Sequence, residues 1–355
     1  MQRSANLDIL RSFAVSVVLI DHLVRTLVSH TGFHYAAVVT FTRQIGQAGV
    51  LAFFVHTSLV LMYSLERMTH AGGRVSLRFY VRRFFRIYPL SVLCVTLVII
   101  LHIPIDTWGS AGIITPRVII SNLFLVQNLF TKVNVISPLW SLPYEVQMYL
   151  VLPALYYLSL RKRSVIYLSG LILFFYCVGF LFYWKTGHLN RPAYIPCFIC
   201  GVLCYALRDR IREVVPSGFW PPFVLLLISG YCLTNHKDES NCWIGWIFCL
   251  ILGLAINLFR DSDNRYLDAV AEKIALYSYG MYLIHLPMLY FVFMVLGIKH
   301  ILFGTLLFIV LTITISAITY HFIESPFIEI GRKLSTRLVY TPKSSLLKPF
   351  ARRTV

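Results

Sequence analysis

Arg11 and His22 lie eleven residues apart in the first long apolar stretch of the chain, LDILRSFAVSVVLIDHLVRTLV. At about 100° per residue, eleven steps return a helix to nearly the same azimuth, with the two side chains about 16 Å apart along its axis. Ionisable groups are costly inside a bilayer, so the pair is a candidate functional site. A buried imidazole can act as a general base near neutral pH. For Arg11 alone, snorkelling towards the membrane surface is an equally good interpretation.

A carboxylate follows in the block PLWSLPYEVQMY at residues 138–149. Ser141 and Glu145 are four residues apart and therefore share one face of a helix. Within a bilayer, Glu145 must be paired or face a cavity. Its predicted depth matches that of His22, so we expect Glu145 to orient the imidazole of a general base. A structural pair with one of the Tyr residues is the alternative.

A basic run, RRFFRIYP, lies at residues 82–89. Arg83 and Arg86 are i,i+3 neighbours, and their planar guanidinium groups could bind phosphate with two hydrogen bonds each. The alternative is a cluster that faces lipid headgroups and orients the helix, and composition alone favours that interpretation.

Polar side chains recur near the end of the chain. Ser278, Tyr282 and His285 are spaced i, i+4 and i+7, and this stripe could line the same cavity or serve helix packing. Arg191, which precedes Pro192, could contact a polar acceptor or anchor a helix end.

The composition indicates a polytopic membrane protein. The 355 residues are 58% hydrophobic and 13% charged, with a mean hydropathy of +0.72. The net charge of +17 lies in connections between apolar runs, which favours the positive-inside rule over nucleic-acid binding. The eight Cys residues lie almost wholly in apolar segments without acidic or His partners at ligand spacing, so no metal site is predicted.

Apolar runs predict an all-α, polytopic transmembrane bundle of about ten helices. The predicted spans are 7–29, 44–65, 87–104, 139–160, 164–184, 192–208, 219–234, 242–259, 274–296 and 301–322. The segment from Arg67 to Arg86 holds six Arg and no acid, and we interpret it as a cytoplasmic connection. With the other basic connections on the same side, both termini are cytoplasmic. Residues 117–131 are short and polar, which predicts a re-entrant or interior helix.

These residues resemble the acyltransferase-3 family of membrane O-acyltransferases. LDILRSFAVSVVLIDH is similar to the family's opening motif, and RRFFRIYP is similar to its Arg-x-x-Arg segment. Further blocks follow in the same order: SNLFLVQNL, PLWSLPYEVQMYLVLP, RPAYIPCFICG, YSYGMYLIHLP and FIESPF. One departure puts an extra histidine, His56, into the second span, where the family more usually ends in Ser-Gly-Phe.

The resemblance implies an enzyme of the bacterial inner membrane that moves an acyl group, with acetyl expected, from acyl-CoA to a hydroxyl. The acceptor would be a carbohydrate or glycoconjugate. Residues 1–331 would form the acyltransferase-3 transmembrane domain, and 332–355 a basic cytoplasmic tail. The expected partners are acyl-CoA as donor substrate, the acceptor and the lipid bilayer. No permanently bound cofactor, metal or nucleic acid is expected.

The resemblance also implies roles for individual residues. His22 would be the general base and Glu145 an active-site acid, while Arg11, Arg83 and Arg86 would serve the coenzyme A side. The expected substrate-binding residues are Trp140, Ser141, Arg191, Tyr282 and His285. A proton-coupled transporter of a glycan or lipid-linked substrate is the alternative, because intramembrane His, Glu and Arg also mark proton pathways.

Overall fold

The computed structural model describes residues 4–32, 36–103, 114–186, 194–235 and 242–338. Within these ranges the chain forms thirteen α-helices and no β-strand. The helices are α1 (Ala5–Thr31), α2 (Ala36–His70), α3 (Val75–Ile100), α4 (Pro116–Leu123), α5 (Gln127–Phe130), α6 (Leu142–Ser159), α7 (Ser164–Thr186), α8 (Ile195–Leu207), α9 (Trp220–Thr234), α10 (Cys242–Ala255), α11 (Arg265–Tyr290), α12 (Ile301–Thr319) and α13 (Ser325–Arg337). The predicted all-α class is confirmed.

Six helices of the described part are long and apolar enough to cross a membrane. They are Val38–His70, Val75–Ile100, Ser164–Lys185, Ser217–Thr234, Arg265–Val295 and Ile301–Arg337. Two further apolar helices, Ile195–Leu207 and Trp243–Leu258, are shorter. The count of about ten crossings, the cytoplasmic side of both termini and the domain division at residue 332 stay predictions.

The basic segment before the predicted third span is largely helical, so its interpretation as a connection is wrong. Helix α3 begins at Val75, and the turn that precedes it contains Gly72 and Gly73 with positive φ angles of 73° and 83°. Arg78 is buried and donates to the carbonyls of Met68 at 3.1 Å and Gly72 at 2.5 Å. Arg78, one of the arginines that suggested a surface connection, therefore stabilises the turn between α2 and α3 through these two hydrogen bonds.

The polar segment 117–131 forms two short helices, α4 and α5, neither of which is long enough to cross a bilayer. Asn122 is fully buried and donates to the Val133 carbonyl, while its side-chain oxygen accepts from the Val135 amide. Gln127, also fully buried, donates to the Leu139 carbonyl at 3.0 Å. Protein groups therefore cover these amides, as an interior segment requires.

Helix α1 packs against both α2 and α11. The approach to α2 is close at Gly49, where an added Cβ would lie 2.6 Å from the Ala14 carbonyl oxygen. Small residues permit such backbone approach between membrane helices. The side chains of α1 are consequently held between two long helices.

The beginning of α1 is fixed by a residue far along the chain. The Asp261 carboxylate accepts hydrogen bonds from the Ser4 hydroxyl at 2.9 Å and from the amides of Ala5 and Asn6 at 3.2 and 2.9 Å. The Trp220 indole donates to the Asn6 carbonyl at 2.9 Å. Asp261 thus satisfies amides that the first turn of a helix leaves open.

Candidate active site

Helices α1, α2, α3, α6 and α11 surround a cavity of about 100 Å³, which we call the inner cavity. Its wall carries Arg11 from α1, His56 from α2, and Arg83 and Arg86 from α3. The remaining polar lining residues are Thr57, Ser141, Glu145, Tyr149, Ser278, Tyr279 and Tyr282. Chain segments far apart in sequence therefore bring their polar residues to one enclosed space.

A second, larger cavity of about 690 Å³ lies at the end of the bundle where α1 begins, and we call it the entry cavity. Its wall includes Asp8, Arg67 and Asp261. The two cavities share four lining residues: Arg11, His56, Val60 and Arg86. These four residues form the junction between the cavities.

The inner cavity contains more positive than negative side chains. Arg86 Nη1 lies 3.1 Å from Glu324 Oε2, and Glu324 is only 1% exposed. The Nε atoms of Arg11 and Arg83 are buried and have no hydrogen-bond partner among the described residues. With three guanidinium groups near two carboxylates, Glu145 and Glu324, the cavity has spare donors suited to an anion.

The predicted contact between Glu145 and His22 is not present in the described part of the chain. Glu145 instead accepts a hydrogen bond from the Tyr149 hydroxyl one turn further along α6, and the charges of Arg11, Arg83 and Arg86 act on it. The assignment of Glu145 as the partner that orients His22 is therefore wrong, and the Tyr alternative is correct. The guanidinium groups and Tyr149 compensate the buried charge locally, which removes any need for the imidazole.

His22 contacts a different side chain. Its ring and that of His285 are in edge-to-face contact, with centroids 4.9 Å apart and an interplanar angle of 65°. His22 is 8% exposed and His285 is fully buried. His22 does not line either of the two cavities; Tyr282, which lines the inner cavity, has its ring 6.1 Å from that of His285.

Tyr282 anchors the wall of the inner cavity. Its hydroxyl donates to the Pro138 carbonyl at 2.8 Å and lies 2.7 Å from the Ser141 hydroxyl. Because the Tyr282 proton is used by Pro138, Ser141 is the donor in the second bond. The predicted residues Ser141, Ser278 and Tyr282 therefore meet at one wall.

Trp140, another predicted substrate-binding residue, does not join this wall. Trp140 packs against Tyr144 and Tyr194, with ring centroids 6.4 and 5.5 Å away, and is not among the residues lining the inner cavity. Arg191 lies outside the described residues, so its role stays a prediction.

Five polar residues at or beside the inner cavity were not predicted as site residues from the sequence: His56, Thr57, Tyr149, Tyr279 and Glu324. Glu324 lies within the quoted block FIESPF, and the cost of a carboxylate in an apolar helix would have singled it out as it did Glu145. It ends a π-helical segment, Tyr320–Glu324, that separates α12 from α13. Such segments within α-helices are frequent at functional sites.

An all-helical membrane bundle that encloses buried Arg, Glu, His and Tyr side chains has the features of a membrane-embedded enzyme. Residues 4–321 match the family model described as an acyltransferase domain, and the chain belongs to this acyltransferase-3 family. The protein is accordingly a multi-pass membrane acyltransferase. No curated protein and no solved structure matches the chain.

Proposed function

We propose that the protein transfers an acyl group, with acetyl expected, from acyl-CoA to a hydroxyl of a carbohydrate or glycoconjugate at the bacterial inner membrane. The observation that carries this proposal is the junction of the two cavities at Arg11, His56 and Arg86. The wider entry cavity adjoins the narrower inner cavity at these residues, and a long donor with charged phosphates needs the space of both.

The guanidinium groups hold the phosphates of the donor. Arg11 and Arg83 have buried Nε donors without partners in the described chain, and phosphate oxygens are strong acceptors for such groups. Arg86 is already paired with Glu324, so its role is to add positive charge at the junction. No other cofactor is needed for this reaction, because the thioester is itself activated for acyl transfer.

The pantetheine arm extends from the guanidinium groups along the direction of α1. Arg11 and His22 are separated by about 16 Å of helical rise, a length that an extended arm can bridge. The thioester then lies near Tyr282 and the imidazole of His22, and the acceptor reaches the same point from the opposite side of the membrane.

His22 is the general base. Its Nδ1 lies 2.9 Å from the Val18 carbonyl oxygen, to which it donates, so Nε2 of the neutral ring is a proton acceptor. Nε2 takes the proton of the acceptor hydroxyl while the oxygen attacks the thioester carbonyl. The C–S bond breaks, and the proton passes to the sulfur of the leaving coenzyme A thiolate.

The test replaces His22 by Gln and compares it with His70→Gln, the same substitution at an exposed histidine outside both cavities. Membranes with equal amounts of each protein are supplied with labelled acetyl-CoA, and transfer of label to envelope glycans is measured. We expect a loss of at least about a hundredfold for His22→Gln, as general base catalysis supplies about 10²–10⁴-fold. A wild-type rate in that variant would refute the role of His22.

The family match favours acyl transfer over the transporter alternative. Binding of coenzyme A to the detergent-purified protein separates the two, since a proton-coupled glycan transporter has no need of that ligand. Saturable binding that Arg83→Gln weakens supports the transferase, while absence of binding by the wild-type protein contradicts it.

A further inference from the structure

The contact between His22 on α1 and His285 on α11 joins the predicted base to a second imidazole. The centroids are 4.9 Å apart, and both rings are at least nine-tenths buried. A joint role for the two rings rests on the proposed role of His22 in acyl transfer.

The hydrogen bonds of the two rings define which nitrogen atoms are available. His22 Nδ1 lies 2.9 Å from the Val18 carbonyl oxygen, and His285 Nδ1 lies 3.1 Å from that of Met281. A carbonyl only accepts, so each Nδ1 carries the hydrogen and each Nε2 of the neutral rings presents a lone pair. The Nε2 of His285 is buried and has no hydrogen-bond partner among the described residues.

The charged and titratable side chains near the two rings have other partners or face other atoms than the two Nε2 nitrogens. On α1, Asp21 and Arg25 pair with each other at 2.5 Å, and Asp21 Oδ2 is 3.9 Å from His22 Nδ1, the nitrogen that faces Val18. On α11, the Tyr282 hydroxyl is used by Pro138. From α2, Arg43 acts on Asp21, and the charge of Arg25 on α1 acts on both rings.

We propose that His22 and His285 hold the transferred proton together, with His285 as the positioning residue that stabilises protonated His22. The O–H bond of the acceptor breaks and its proton moves to His22 Nε2, where the Nε2 lone pair of His285 accepts a hydrogen bond. The ester C–O bond forms, the thioester C–S bond breaks, and the coenzyme A sulfur finally takes the proton.

This arrangement replaces the carboxylate partner that the sequence suggested. A further carboxylate on the Nε2 side of His22 would add a permanent charge to the buried Asp21–Arg25 pair already present on the Nδ1 side, and burying an ion is costly. Two neutral imidazoles carry no charge at rest, and the pair becomes cationic only while it holds the proton. The Nε2 atom of His285, which otherwise has no hydrogen-bond partner among the described residues, gains one when His22 is protonated.

The test compares His285→Asn with His285→Gln and with Thr312→Val. The Asn side chain is short and retains a donor for the Met281 carbonyl but no acceptor at the Nε2 position, whereas Gln reaches that position. Thr312 is a buried residue of α12 whose hydroxyl also lacks a partner among the described residues, and it serves as the control.

We expect His285→Asn to lower kcat about tenfold to a hundredfold with donor and acceptor KM values within about twofold of wild type. His22 binds its proton less tightly without the second imidazole, so the acidic limb of kcat against pH moves to lower pH. His285→Gln, whose side chain can accept the hydrogen bond, retains part of the kcat that His285→Asn loses. Thr312→Val leaves kcat and its pH dependence unchanged.

The double variant His22→Gln with His285→Asn provides a second test, whose result does not depend on whether His285→Asn alone folds less well. If the residues act as a unit, the double variant is no slower than His22→Gln alone. Multiplicative losses, or an unchanged pH limb and kcat in His285→Asn, overturn the proposal. Absence of acetyl transfer by the wild-type protein would instead refute the proposed function itself.

Discussion

The Arg86 guanidinium lies 3.1 Å from the Glu324 carboxylate, and this pair ties α3 to the π-helical segment that ends at Glu324. Arg86 is at the junction of the two cavities, whereas Glu324 is almost fully buried behind it. The carboxylate therefore holds the guanidinium in place at the junction of the two cavities.

Replacing Glu324 by Gln is expected to destabilise the protein, because it leaves the Arg86 charge without its buried partner. Breaking such a pair costs about 3 kcal/mol. Thermal unfolding of the detergent-solubilised protein measures the loss. Glu329→Gln is the control, since its pair with Arg332 is solvent-exposed and its loss should change the unfolding temperature far less. Equal shifts for both variants would contradict the distinction.

Replacing Arg83 by Gln is expected to raise the apparent donor KM about tenfold to a hundredfold, as a hydrogen bond to a charged group contributes about 1.5–3 kcal/mol. Steady-state rates at varied acetyl-CoA measure this change. The basic residue Arg163, which follows α6 and lies outside both cavities, supplies the control Arg163→Gln. An effect confined to the acceptor KM would show that Arg83 does not bind the donor.

Replacing His56 by Leu removes a polar side chain from the junction while keeping a similar volume. Loss of one hydrogen bond to the donor arm should raise the donor KM roughly threefold to tenfold. Activity with acetyl-CoA at varied concentration provides the measurement, and the acceptor KM is the internal comparison. Unchanged donor kinetics would mean that His56 is only a packing residue.

Replacing Asp261 by Ala is expected to cost about 1–2 kcal/mol, the range for losing a helix cap. Asp261 accepts three hydrogen bonds at the start of α1, so the loss should also loosen the position of Arg11 and raise the donor KM. Asp263→Ala is a matched control, because Asp263 makes one exposed hydrogen bond, to Ser217 at 3.0 Å. A stability loss no larger than that of the control would remove Asp261 from this role.

The sequence predicted those site residues well whose position is decided by the cost of placing a polar side chain in an apolar helix. Arg11, Glu145, Ser278 and Tyr282 interrupt apolar helices, and such groups have to face protein or a cavity. The structure confirms this for all four, since each lines the inner cavity.

Pairing within the site was less predictable, because it depends on how the helices rotate and slide against one another. Glu145 and His22 were predicted at the same depth, yet Tyr149 is closer to Glu145 along the same helix. His285 meets His22 only because α1 packs against α11. Neither contact follows from spacing within one segment.

The start of α3 illustrates a further limit. A run of arginines without acids is typical of a connection at the membrane surface, and the spacing does not reveal that Arg78 will bind the carbonyls of the preceding turn. Side-chain-to-backbone bonds of this kind need the folded geometry to be recognised.

The π-helical turn at Tyr320–Glu324 places a length constraint on the end of the chain. Removing one residue from it would convert the turn to α-helix and rotate everything that follows by about 100°. Glu324 would leave Arg86, and Ser335 would lose the 2.7 Å hydrogen bond that it accepts from Arg82. This short stretch should therefore tolerate changes of side chain far better than the insertion or deletion of a single residue.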